Sequence, residues 1–191
     1  HKLIKFLLAA VLVAGLIAGL GSALPMRAAD GDVILYRVNA GGPTISATDG
    51  GPDWVVDTDF YTGTATGTNT ILTIYSLGGP LVGAAPEAVF RTNRDGIPIS
   101  DTLSYAFDVT PDREYQINLY FADHVRYPLT RTFGVSVNGD IPAEFDNITL
   151  VSTSSGSLHV PALYSTTVTA AGSTLELVGA RQGAIGYIPL V

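Results

Sequence analysis

Thr102-Leu103-Ser104-Tyr105-Ala106-Phe107-Asp108-Val109-Thr110-Pro111-Asp112-Arg113-Glu114-Tyr115-Gln116-Ile117-Asn118-Leu119-Tyr120-Phe121-Ala122-Asp123 is the stretch that decides the fold class. Tyr105, Phe107 and Val109 alternate with polar residues, and Tyr115, Ile117, Leu119 and Phe121 resume the alternation after Thr110-Pro111-Asp112-Arg113. A period of two is the mark of a strand with one buried face. Proline pre-sets the turn's φ. The pattern predicts a hairpin with a wide apolar face.

The same signature recurs outward from it. Phe133, Val135 and Val137 point one way, and Asn138-Gly139 supplies a two-residue turn whose positive φ values these residues tolerate. Ile141 and Phe145 are expected on the returning strand. Leu163 to Thr169 and Thr174 to Val178 read as a third pair, joined through Ala170-Ala171-Gly172. Earlier strands are expected at 33–38, 54–57 and 71–75, and a last one at 184–190. Gly63 to Thr70 is rich in Thr and Gly and reads as a long surface loop. About ten short strands with Gly, Pro and Asn punctuation predict an all-β, antiparallel β-sandwich of jelly-roll or lectin-like type.

The N-terminus is set apart. Lys2 and Lys5 precede an uncharged apolar run from Phe6 to Gly21, and Gly21-Ser22-Ala23 fits a small-x-Ala cleavage pattern, with Arg27-Ala28-Ala29 as a looser alternative. Residues 1–29 therefore read as a hydrophobic, signal-peptide-like helix. The run is about 16 residues, short of the roughly 20 needed to cross a bilayer. A retained membrane anchor is the second reading, and a helix buried in a pilin-like filament the third, weakened by Lys at position 5. Residues 30–191 are one domain's worth of chain.

Composition narrows the function. No cysteine is present, which removes disulfides, thiolate metal sites and cysteine nucleophiles. A formal net charge of -7 disfavours nucleic acid, because phosphate binding needs clustered Lys and Arg. Low charge with 21 glycines and abundant Thr and Ser suits an extracellular β-protein.

Catalytic groups are sparse. His1 precedes the export segment, His124 and His159 stand alone, and no serine lies in a G-x-S-x-G context. Glu87, Glu114, Glu144 and Glu176 fall on or beside the expected strands without clustering in loops, so a glycosidase carboxylate pair is not indicated. Asp49, Asp53, Asp57 and Asp59 form the densest acidic stretch, yet they lack the D-x-[DN]-x-[DN]-G calcium loop. Exposed turn aspartates capping backbone amides are the simpler reading. No cofactor is expected, and structural calcium is not predicted. Asn147-Ile148-Thr149 is a glycosylation sequon, which matters in a eukaryotic secretory pathway.

Several separated segments share one resemblance. Tyr36-Arg37-Val38-Asn39-Ala40-Gly41-Gly42 resembles the I/V-N-A-G-G opening of malectin and malectin-like domains, and Trp54 with Asp57 is similar to the W-x-x-D of bacterial members. Val89-Phe90-Arg91-Thr92 stands where those domains have a Y-Q-T-E-like strand, and Leu119-Tyr120-Phe121-Ala122-Asp123 looks like their L-x-F-A-E. Arg131-Thr132-Phe133-Gly134-Val135-Ser136-Val137-Asn138-Gly139 resembles R-x-F-D-V-x-V-N-G, and Phe145-Asp146 the F-D-I that follows. The resemblance spans nearly all of Val33 to Val191. It implies a non-enzymatic, lectin-like sandwich with a glucan site in loops at one end, built in animal malectin from several aromatics and an Asp.

The rim itself differs. His124, Val125 and Arg126 replace two adjacent aromatics, with Tyr127 one step later; Asp95 falls where a tyrosine is expected, and Arg181 near a late aspartate. The candidate ligand-binding set is Tyr61, Asp95, Asp123, His124, Arg126, Tyr127, Arg181 and Gln182. Aromatic rings stack on apolar sugar faces, while carboxylates and amides bond hydroxyls. Arg126 and Arg181 favour an anionic sugar, through a fixed cation with a planar donor fork. The expectation is a secreted or cell-surface carbohydrate-binding module, not an enzyme, whose partner is a glycan or surface polysaccharide. It has no nucleic-acid partner and meets a membrane only through an uncleaved N-terminal segment. The alternative is a structural or adhesive surface or filament domain of the same fold, with self-association left open.

Overall fold

Alternating apolar residues bury one side of each strand, and two such sides facing each other make a core. The computed structural model describes residues 33–70, 85–95, 102–122, 130–151 and 161–181. The chain divides into two units, His1–Leu35 and Tyr36–Val191, and all the described strands belong to the second. The expected export segment and the strands expected at 71–75 and 184–190 lie outside the described residues.

The described residues form ten strands: β1 (Val38–Asn39), β2 (Val55–Val56), β3 (Gly67–Thr70), β4 (Thr92–Asp95), β5 (Leu103–Asp108), β6 (Glu114–Phe121), β7 (Thr130–Val137), β8 (Ile148–Val151), β9 (Ala162–Thr169) and β10 (Thr174–Arg181). The only helical pieces among the described residues are 3₁₀ turns at Asp57–Asp59, Glu87–Arg91 and Ala143–Phe145. A four-stranded antiparallel sheet runs in the order β5-β10-β7-β8, and β6 pairs antiparallel with β9. Leu103, Tyr105, Phe133, Val135, Val137, Ile148, Leu150, Leu175 and Leu177 of the larger sheet share one core with Leu119 and Phe121 of β6. Phe121 meets Phe133 edge-on across that core, with centroids 5.1 Å apart. This is a sandwich, as expected.

The pairing differs from the sequence expectation in several places. β5 and β6 are not a hairpin: β5 pairs with β10 and β6 with β9, so the Thr110–Arg113 turn carries the chain from one sheet to the other. The same holds for β9 and β10, which also lie in different sheets. The two connections bond to each other instead. Val109 N donates to Ser173 O, Asp112 N to Ala170 O, and Ala170 N to Arg113 O. Period-two burial holds for either arrangement, because both put the apolar faces toward one core.

The Asn138-Gly139 turn forms as expected, with φ of 51° and 93° and a bridge between Val137 and Asp140. Its return is not a strand through 141–145, however. Pro142 starts a 3₁₀ turn that buries Phe145 and leaves Ile141 exposed, and pairing to β7 begins only at Ile148.

The expected strands at 33–38 and 54–57 shrink to β1 and β2, which pair in parallel. The expected loop at 63–70 is instead ordered against strands. Residues 60–64 run beside β5, where Ala106 N donates to Phe60 O, Thr62 N to Ser104 O and Thr64 N to Thr102 O. β3 then pairs with β4. Alternation of Thr with Gly and Ala concealed this, because Gly63 and Ala65 carry no bulky apolar side chain. A second, smaller cluster packs on the other face of β6, where Tyr120 and Ala122 meet Trp54, Ala85, Val89 and Phe90.

Candidate functional site

Asp57 is the polar centre of the described residues. Its side chain is 1% exposed, and the Arg94 guanidinium grips it with two bonds, Nε to Oδ2 at 2.6 Å and Nη2 to Oδ1 at 2.8 Å. Gly41 N donates to Oδ2 at 2.9 Å and the Tyr105 hydroxyl at 3.1 Å. Burial pushes the Asp57 carboxyl up, but Arg94, the Gly41 amide and Tyr105 together hold it below the usual carboxylate range. Burial first, then the Asp57 charge, drives the Tyr105 hydroxyl far above the ordinary tyrosine range, so it stays a donor. Arg94 also stacks over Tyr61, 4.1 Å from the ring centroid.

Local sequence sets this geometry. Gly41 has φ of 68°, and a Cβ there would meet Asn93 O at 2.6 Å; only glycine lets that turn reach Asp57 against the β4 backbone. Thr92 and Arg94 share one face of β4. Thr92 Oγ1 donates to Asn39 Oδ1 at 2.9 Å while Arg94 takes Asp57, so the N-A-G-G turn is held twice against one strand.

Asp49 binds Arg37 in two bonds and accepts from Gly51 N, and Arg37 also donates to Pro52 O and lies over Trp54. The Arg37 guanidinium and then the Gly51 amide hold the Asp49 carboxyl well below its ordinary range. Asp53 accepts from Ala47 N. Asp49, Asp53 and Asp57 thus accept backbone amides as the sequence predicts, but Asp57 is a buried ion-pair member and not an exposed turn residue. Among the described residues no group of three or more His, Cys, Asp or Glu converges on a metal-sized site, and no helix is long and apolar enough to cross a membrane.

Of the sequence-predicted rim, Tyr61 has its side chain among the described residues. Its hydroxyl donates to Ala65 O at 2.8 Å and Thr102 O at 3.1 Å, and its ring meets Tyr105 edge-on at 5.2 Å. Asp95 ends β4 opposite Gly67, and Arg181 ends β10 opposite Phe133. Asp123, His124, Arg126, Tyr127 and Gln182 lie outside the described residues. The backbone register nevertheless sets the ends of the strands. Arg181 reaches the end of the larger sheet where β7 begins, and β5 begins at that end too, because Gly179 pairs with Leu103. Tyr61 bonds Thr102, one residue before β5.

Sequence reasoning did not single out Arg94 or the hydroxyl of Tyr105. The signal for Arg94 was its position two residues after Thr92 on a strand facing the N-A-G-G turn. For Tyr105, a core-facing tyrosine in place of phenylalanine implied a buried partner for its hydroxyl.

No family model and no curated protein matches the chain. Among solved structures it is similar to the ANXUR2 extracellular domain from Arabidopsis thaliana, at 18% identity and a TM-score of 0.65 over 82% of this chain and 46% of that one. The ANXUR1 extracellular domain from the same plant matches at 17% identity and a TM-score of 0.62, over 76% of this chain and 42% of that one. A Bacteroides uniformis beta-glucuronidase matches at 19% identity and a TM-score of 0.56, over 81% of this chain but 17% of the enzyme. The chain thus spans less than half the length of the ANXUR ectodomains. With the N-A-G-G turn, the W-x-x-D aspartate and the V-N-G hairpin all in place, the fold of this chain is malectin-like.

Proposed function

We propose that this chain is an extracellular, non-catalytic carbohydrate-binding module whose glycan site lies in the loops at one end of the sandwich. The observation that carries the reading is the malectin-like fold, shared with a plant extracellular domain and with one segment of a beta-glucuronidase. The proposed contacts are Tyr61, Asp95, Asp123, His124, Arg126, Tyr127, Arg181 and Gln182. Aromatic rings supply stacking surfaces, and the arginines select an anionic or carboxylate-bearing sugar. Export follows from the N-terminal segment, whose cleavage leaves a mature start near Leu24 or Asp30.

The test is a glycan array and affinity electrophoresis with neutral and acidic glycans. Retention by at least one acidic glycan is expected, with loss on Tyr127→Ala combined with Arg181→Ala. No retention by any glycan, or unchanged retention in that double variant, overturns the proposal. The first of these outcomes favours the structural or adhesive reading.

A further inference from the structure

Two asparagines sit in left-handed backbone, and only one is explained by the fold. Asn138 (φ 51°) belongs to the β7 turn, and its side-chain Oδ1 accepts Glu176 N at 2.8 Å. Asn147 (φ 55°) joins the Ala143–Phe145 turn to β8, is exposed, and has no side-chain hydrogen bond among the described residues. Its neighbours are fixed inward, since Phe145 and Ile148 are each 0% exposed. Thr149 is exposed two residues on, and its hydroxyl donates to the Asn147 carbonyl at 3.2 Å. Asn147 and Thr149 are thus displayed on the surface on either side of the buried Ile148, with the asparagine amide free among the described residues and the threonine hydroxyl folded back onto the asparagine's own backbone.

We propose that Asn147 is an acceptor for an N-linked oligosaccharide in a secretory compartment, which rests on the export reading above. A polyprenyl-pyrophosphate-linked oligosaccharide is the donor. The sugar C1–O bond to pyrophosphate breaks, a C1–Nδ2 bond forms, the lipid pyrophosphate leaves with the bonding electrons, and Nδ2 gives up one proton. The position suits a bulky adduct. Among the described residues β8 is the outer strand in the order β5-β10-β7-β8, and a bulky glycan beside an outer strand hinders its pairing with other chains.

The full chain, produced behind a cleavable host signal sequence in a eukaryotic secretory host, tests this by intact mass and gel mobility. The secreted protein should carry an oligosaccharide mass that peptide-N-glycosidase removes, leaving Asp at 147. Asn147→Asp, which tolerates the same backbone, and Thr149→Val should each lose the shift entirely, while Thr149→Ser retains it. Trp54 fluorescence verifies that each variant is folded. A folded, secreted wild-type chain with unmodified Asn147, or a shift that persists in Asn147→Asp, overturns the proposal. Sugar binding is measured on unglycosylated bacterial protein, and processing of the chain's own N-terminus is read by mass without the host signal. Failure of either reading above is therefore distinguishable from failure at Asn147.

Discussion

Replacing Asp57 by Asn tests whether the buried ion pair holds the turn at residues 39–42 against β4. The carboxylate accepts two bonds from Arg94 and one each from Gly41 N and Tyr105, at a side chain 1% exposed. Asn keeps the shape and one acceptor but removes the charge, so Arg94, itself 12% exposed, is left without a counterion. Breaking one half of a buried pair costs about 3–5 kcal/mol. The retained acceptor and the Tyr61 ring place the expected loss near the lower end, at about 3 kcal/mol. Against a typical stability of about 5–15 kcal/mol, that is a large fraction. For a chain of this size it lowers Tm by on the order of 10 °C. Urea unfolding followed through Trp54, the single tryptophan and 4% exposed, measures it. The expected signature is a lower midpoint at unchanged slope. Arg94→Met in the same background closes a double-mutant cycle, with an expected coupling of about 0.5–3 kcal/mol. A loss below about 1 kcal/mol, or strictly additive losses, refutes the assignment of Asp57 as the organising group.

Acid should act through the same carboxylate. Its folded pKa is depressed, so its contribution is complete above the unfolded value of about 3.9 and is lost as pH falls through the folded one. The urea midpoint should fall more steeply below about pH 4 in the native chain than in Asp57→Asn, and parallel profiles would contradict this; Asp49, depressed by Arg37, acts in the same direction. Gly41→Ala should destabilise by about 1–3 kcal/mol, because φ of 68° and the fixed Asn93 carbonyl oppose a Cβ. Gly139→Ala meets no atom within 4 Å and should lose only the strain of its positive φ; equal losses at the two sites in thermal melts would argue against the close approach at Gly41. Phe121→Ala, fully buried between the sheets, should cost about 3–5 kcal/mol. Ile141→Ala, at 42% exposure, should stay within about 0.5 kcal/mol, and a Phe121 loss as small as that would deny the shared core.

The candidate site was legible only in part. Asp95 and Arg181 were identified from their places in a family pattern, and each ends a strand. Tyr61 was a loop tyrosine in the sequence, and its contacts with Ala65, Thr102, Tyr105 and Arg94 join segments up to 44 residues apart. Such contacts leave no local period to read.

By itself the sequence determined the strands around residues 105–107, 115–121, 133–137, 163–169 and 174–178, and which side chains face inward at Tyr105, Leu119, Phe121, Phe133, Val135 and Val137. It also determined the Asn138-Gly139 turn, because positive φ at a two-residue turn is a property of the residues that occupy it. Tertiary structure alone decided which strands pair. A short connection between two alternating strands, such as residues 109–113 between β5 and β6, can fold back as a hairpin or cross between sheets, and both bury the same faces. The choice between them is made by backbone bonds from Val109 to Ser173 and from Asp112 to Ala170, each more than fifty residues distant in sequence. Tertiary structure likewise turned Asp57 from a turn aspartate into a buried counterion, since its charge became tolerable in the core only where Arg94, Gly41 and Tyr105 arrive together.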